Sequence, residues 1–219
     1  MLRVHFDAEL ESVRANLVQM GETTITLFGE ALRAVAEPSQ TPSARASELE
    51  AQTDHQHRLI HDQCLNLITL QAPVASDARL LTGVLDAIVD LELIGDYAYE
   101  MVALSSSVKR KPPSQILSQF AEIGSKIRES LATAIHSWRT GDRALAISVR
   151  PRESAIRAEC DSFYEKLSRL VSTPGEGVAY VDLMLICKHL ERILRHAVCV
   201  AEQAAEAAPL EGQGEHAAS

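Results

Sequence analysis

The sequence predicts an all-α protein built as two tandem three-helix bundles, and three observations carry that prediction. The first is composition. Of 219 residues, 46% are apolar but only 4% aromatic, and Ala, Leu, Ile, Val, Glu and Arg dominate, residues that suit helices. The second is punctuation. Pro and Gly fall in spaced clusters, "EPSQTPS" (37–43), "QAPVAS" (71–76), "KRKPPS" (109–114), "TGD" (140–142) and "TPGEG" (173–177). Between them run six segments of roughly 28 to 32 residues with helical periodicity. The third is an echo. "LELIGD" (91–96) returns as "LERILR" (190–195), about a hundred residues later, as expected of an internal repeat.

The elements follow in order. In the first segment Phe6, Leu10, Val13, Leu17, Met20 and Leu27 recur at helical steps, which predicts one buried stripe. The second and third segments meet at a short break centred on Pro73, so they should pack as an antiparallel hairpin. The basic, Pro-rich joint at 109–113 divides the chain into three plus three. In the fourth segment Ile116, Phe120, Ile123, Ile127 and Leu131 repeat the first segment's pattern. The fifth and sixth meet around Pro174 and should form the second hairpin. The expected units are residues 1–108 and 109–207, with 208–219 a small, polar and disordered tail.

Charge and cysteine content exclude several classes. A formal net charge of −9 makes the chain a poor non-specific binder of nucleic acid or anionic membrane. Cys64, Cys160, Cys187 and Cys199 are scattered and fit neither a zinc motif nor a disulfide framework, so reduced, core-packed thiols are expected. "MLRVHFDAEL" turns acidic at once and predicts no signal peptide. No run of about 18 apolar residues is present, so membrane association is expected only through a partner.

Two acidic pairs define the candidate site. Glu50 and Asp54 on the second helix, and Glu92 and Asp96 on the third, are each four residues apart and so share a helix face one turn apart. Glu50 and Asp96 are equidistant from position 73, and so are Asp54 and Glu92. The pairs should therefore face each other at matched heights. Four converging carboxylates repel unless a cation sits among them, and an oxygen-rich cluster suits magnesium, manganese, calcium or iron. His57 and His61 extend the same stripe and offer imidazole ligands that favour iron or zinc, His57 being nearer the acids. The plainer alternative is a solvated acidic face.

The same arithmetic around Pro174 pairs Glu153 with Arg195 and Arg157 with Glu191. Here each level joins a carboxylate to a guanidinium. Two fixed cations take the place of a metal, and a four-charge network of ion pairs is expected instead. An anion such as phosphate between the two arginines is the functional alternative.

These residues resemble the PhoU family, regulators of bacterial phosphate uptake and signalling. The resemblance is carried by "HFDAELESVRANLVQMG" near the start, "CLNLITLQAPVASDARL" (64–80), "DLELIGDYA" (90–98) and "HLERILRHA" (189–197), and it spans nearly every helix. It implies two three-helix repeats with acid-x-x-x-Asp motifs that bind metal. Glu50, Asp54, Glu92 and Asp96 keep that pattern. In the second repeat Glu153 and Glu191 match the acidic first positions, while Arg157 and Arg195 replace the aspartates, so no metal is expected there. Leu93 stands where the family motif has Arg, and Ala78 where it has Leu. Asp77 and Arg79 match a family element, although Asp77 also reads as a helix cap. The resemblance further implies a cytoplasmic negative regulator that links the ATPase subunit of the phosphate ABC transporter to a phosphate-sensing membrane histidine kinase. A homodimer is expected, as are docking at the inner membrane through partners and no catalysis. Two rivals remain on the residues alone. A ferritin-like metal enzyme would need Glu-x-x-His motifs that this chain lacks. The other is a metal-free helical adaptor.

Overall fold

The periodic segments form seven α-helices in the computed structural model, which describes residues 2–39, 43–71, 73–107, 111–172 and 177–208. They are α1 (Leu2–Ala36), α2 (Ala44–Gln71), α3 (Ala75–Ser107), α4 (Ser114–Thr140), α5 (Arg143–Ile147), α6 (Arg150–Leu170) and α7 (Gly177–Ala207). No strand occurs among the described residues. Six helices are long, and α5 is a single turn. Residues 109–110 of the expected joint at 109–113, Pro174 at the centre of the expected second hairpin break, and the expected tail from 209 onward lie outside the described residues.

The breaks read from the Pro and Gly clusters leave out the one between α5 and α6, which Pro151 explains. A proline nitrogen cannot donate to the carbonyl four residues back, and its ring crowds that carbonyl, so it is accepted only in a first helical turn. α6 therefore starts afresh, with Pro151 in its first positions. Upstream, α4 ends at Gly141, whose φ of 67° is left-handed and whose N–H bonds the Ser137 carbonyl, a common helix stop. Asp142 then caps α5 by accepting from the Leu145 N–H at 2.9 Å.

Packing follows the apolar stripes. α1 packs on α2 and α3, and α4 on α6 and α7, giving one three-helix unit from each half of the chain. The units join most extensively through α3 and α7, and again through α1 and α4. α1, α3, α7 and α4 thus close a central ring, with α2 and α6 on its outside. The buried apolar side chains of both units form one continuous core. The echoed leucines Leu91 and Leu190 are both fully buried, each contributing about 1.5–3 kcal/mol by leaving water. One residue further on, Glu92 and Glu191 turn outward toward α2 and α6.

The α1–α4 contact is tight and reciprocal. A Cβ at Gly21 would lie 2.3 Å from Ile135 of α4, and one at Gly124 of α4 would lie 2.4 Å from Leu32 of α1. Each glycine lets the facing side chain lie against bare helix backbone. Polar contacts fix the register of the other seams. Trp138 Nε1 of α4 donates to the Val200 carbonyl of α7 at 3.0 Å. Asp90 of α3 lies 2.7 Å from His196 Nδ1 and accepts from Gln203 Nε2 at 2.8 Å, both on α7.

Candidate metal centre and its basic counterpart

α2 and α3 run antiparallel, and their facing turns bring Glu50, Asp54 and Asp96 together. One carboxylate oxygen of each lies within 4.8 Å of the others. Two unit charges about 5 Å apart repel by roughly 3 kcal/mol at an effective dielectric near 20, before solvent screening. The titration behaviour carries the same sign. Glu50 is raised above the ordinary carboxylate range, first by partial burial and then by Asp54. Asp96 is raised by burial, then by Glu92, Asp54, Glu50 and Glu100. The cluster holds its negative charge at a cost, which a proton or a cation would relieve.

Glu92 does not complete the trio. His57 Nδ1 lies 3.1 Å from its Oε2. Position 57 is one turn beyond Asp54, and Glu92 is one turn before Asp96. Glu50 and Asp96 thus meet as the count from Pro73 predicts, but Asp54 also faces Asp96 and Glu92 faces His57, so the second level is offset by about one turn. The connection allows this, because residues 73 and 74 are not helical and let the helices offset. His57 thus sits beside the acids as expected, held by a carboxylate as imidazole ligands commonly are. His61 contacts the His57 ring edge-on and lies 3.6 Å from Asp62, exposed and outside the cluster. Asp77 is buried in the first turn of α3, inside the helix and not at its cap, and Arg79 is exposed. Neither joins the acids.

The residues fit a hard or borderline cation. Three mutually close carboxylates supply oxygen donors and uncompensated charge. Glu92 and His57 stand ready as further donors, provided that they exchange each other for the ion.

In the second unit, α6 and α7 carry the corresponding turns. Arg157 Nη2 lies 3.3 Å from Glu191 Oε1. Lys188, one turn earlier on α7, holds the other Glu191 oxygen at 2.8 Å and lies over the Tyr164 ring. Glu191 is thus held by Arg157 and Lys188, not by Arg195. The expected Glu153–Arg195 pair is absent, so the four-charge network is incomplete. Glu153 lies in the first turn of α6, where the helix N-terminus already favours a carboxylate. Both residues line a cavity of about 480 Å³ together with Tyr97, Arg157, Lys188, Glu191, Arg192 and Leu194. Sequence reasoning overlooked Lys188 and Arg192. Their signal was the three- and four-residue spacing of Lys188, Glu191, Arg192 and Arg195, which places all four on one face of α7.

The fold and its paired sites define a class: a two-repeat helical protein with an acidic cluster on one repeat and a basic one at the corresponding place on the other. A PhoU-domain profile matches residues 17–104 and 120–204, one match in each repeat. This chain belongs to the PhoU family. It is 27% identical over 201 residues to a Synechocystis protein named a phosphate-specific transport system accessory protein PhoU homolog, covering 92% of this chain and 90% of that one. A Pseudomonas aeruginosa protein of the same name is 26% identical over 200 residues, covering 90% of this chain and 82% of that one. Among solved structures, PhoU from Pseudomonas aeruginosa superposes with a TM-score of 0.85 at 25% identity, covering 91% of this chain and 96% of that one. The Streptococcus pneumoniae phosphate transport system regulatory protein PhoU gives 0.83 at 19% identity, covering 92% and 96%, and supports the fold alone. These names are those of accessory and regulatory proteins, not of enzymes.

Proposed function

We propose that this protein regulates phosphate uptake as a metal-binding accessory protein, acting in the cytoplasm between the ATPase subunit of a phosphate ABC transporter and a membrane sensor histidine kinase. The observation that carries the regulatory reading is the pair of PhoU-domain matches, which together span both repeats. Relatives aligned over about nine-tenths of the chain and named as transport accessory proteins support it. No described helix is long and apolar enough to cross a membrane, which fits docking on membrane partners.

Metal binding rests on the mutual approach of Glu50, Asp54 and Asp96. When bound, the ion supplies charge neutralisation that locks α2 to α3. Glu50 and Asp54 would hold it from one helix and Asp96 from the other, with Glu92 and His57 on the adjacent turn as further candidate donors. Iron, zinc, manganese and magnesium are the ions to assay. A homodimer is part of the same reading.

Deleting the gene should derepress phosphate-starvation genes in phosphate-rich medium or raise phosphate uptake. Pull-down from phosphate-replete cells should recover the transporter ATPase and the kinase. Normal induction together with normal uptake in the deletion strain contradicts the regulatory reading. A folded protein that retains no metal, yet still recovers both partners, leaves a metal-free adaptor.

A further inference from the structure

We propose that the cavity between α6 and α7 is a binding site for a small phosphoryl-bearing anion, gripped by Arg192, Arg195 and Arg157. Four of its eight lining residues are cations, Arg157, Lys188, Arg192 and Arg195, against two carboxylates, Glu153 and Glu191. That excess lies in a chain whose net charge is −9. The basic groove is therefore a local reversal of sign. The positions are also not random. Aligning the two Leu-Glu turns places Lys188, Arg192 and Arg195 where the first repeat has Val89, Leu93 and Asp96, and aligning Glu153 of α6 with Glu50 of α2 places Arg157 where the first repeat has Asp54. Every one of these differences adds a positive charge or removes a negative one at the same groove.

The carboxylates leave much of this charge free. Glu191 is already held by Arg157 and Lys188. Arg192 and Arg195 have no ion-pair partner among the described residues. Arg192 lies over the Tyr97 ring, 5.3 Å from its centroid, which steadies its guanidinium group beside the cavity. Arg195 follows three residues later on the same face of α7. Guanidinium groups present planar forks of donors that match phosphoryl oxygens two at a time and keep their charge at any physiological pH. The same groups repel a metal cation. At about 480 Å³ the cavity falls in the range of small-molecule sites and exceeds what a bare tetrahedral anion fills. The shared chemistry is the phosphoryl group, supplied either as free phosphate or as part of a phosphorylated metabolite.

This site is separate from the acidic cluster, and its test is run without metal. The full chain is titrated calorimetrically in chelator, at low ionic strength, with inorganic phosphate and separately with ATP. Saturable binding of phosphate identifies the free anion. Binding of ATP alone identifies a phosphoryl group on a larger molecule. The double variant R192Q/R195Q, at exposed positions, should keep its circular-dichroism melt and weaken binding by about tenfold or more, as loss of charge-assisted hydrogen bonds requires. Glu153→Gln should strengthen binding, because it removes a negative charge from the cavity wall. No saturable binding of either probe overturns the proposal. So does binding that neither the arginine pair nor Glu153→Gln alters.

Discussion

Asp96 carries the electrostatic tension of the first repeat. Glu50 and Asp54 of α2 crowd it, Glu92 and Glu100 flank it on α3, and its proton affinity is raised. Glu50 is raised in the same direction. The ordinary values are 3.8 for Asp96 and 4.5 for Glu50. Above them the unfolded chain has released protons that the folded chain still holds. Stability therefore falls as pH rises from these values through the higher folded ones, and it is fully present below them. In chelator, Asp96→Asn should be more stable than wild type at pH 7 by a few tenths of a kcal/mol, the scale of a relieved like-charge pair. At pH 4 the two should differ less. Thermal melts at both pH values check this, and an Asn variant less stable than wild type at pH 7 would show that the repulsion is already compensated.

At the scale of elements, the α1–α4 seam offers the sharpest test of packing. Gly21→Ala gains about 1 kcal/mol of helix propensity but drives a Cβ to 2.3 Å from Ile135. Overpacking of this kind typically costs about 1–3 kcal/mol, so a net loss is expected. In an Ile135→Ala background the clash is gone, and the same Gly21→Ala change should stabilise. Denaturant melts of the four-member cycle should show that change of sign. Its absence would mean that α1 and α4 pack less closely than described. The helices themselves were legible because their apolar stripes and Pro–Gly breaks are local signals. Ile116, Phe120, Ile123, Ile127 and Leu131 read as one stripe and are all buried. The α5–α6 break was overlooked although Pro151 announces it. The stagger that gives Glu92 to His57 was not legible. It depends on how α2 and α3 cross, and counting residues from a turn assumes helices that leave it level. Lys188 and Arg192 escape a sequence reading for another reason. The acid-x-x-x-acid pattern is a local signal, whereas a basic groove is defined only when α3 and α6 close around α7.

At the scale of the molecule, the two repeats share one core through α3 and α7 but carry opposite local charge at corresponding places. The first repeat gathers three carboxylates, and the second turns the same groove basic. That division is the central claim. In the proposal, metal locks α2 to α3, and the interlocked α3–α7 seam around Asp90, His196 and Gln203 joins that repeat to the basic one. The most direct measurement is anomalous diffraction from crystals of the untagged protein grown with a first-row transition metal, which locates bound ions by element. A peak among Glu50, Asp54 and Asp96, with none beside Glu153, Arg157, Glu191 and Arg195, is the predicted result. A peak at the second repeat, or no peak at the first, would contradict it.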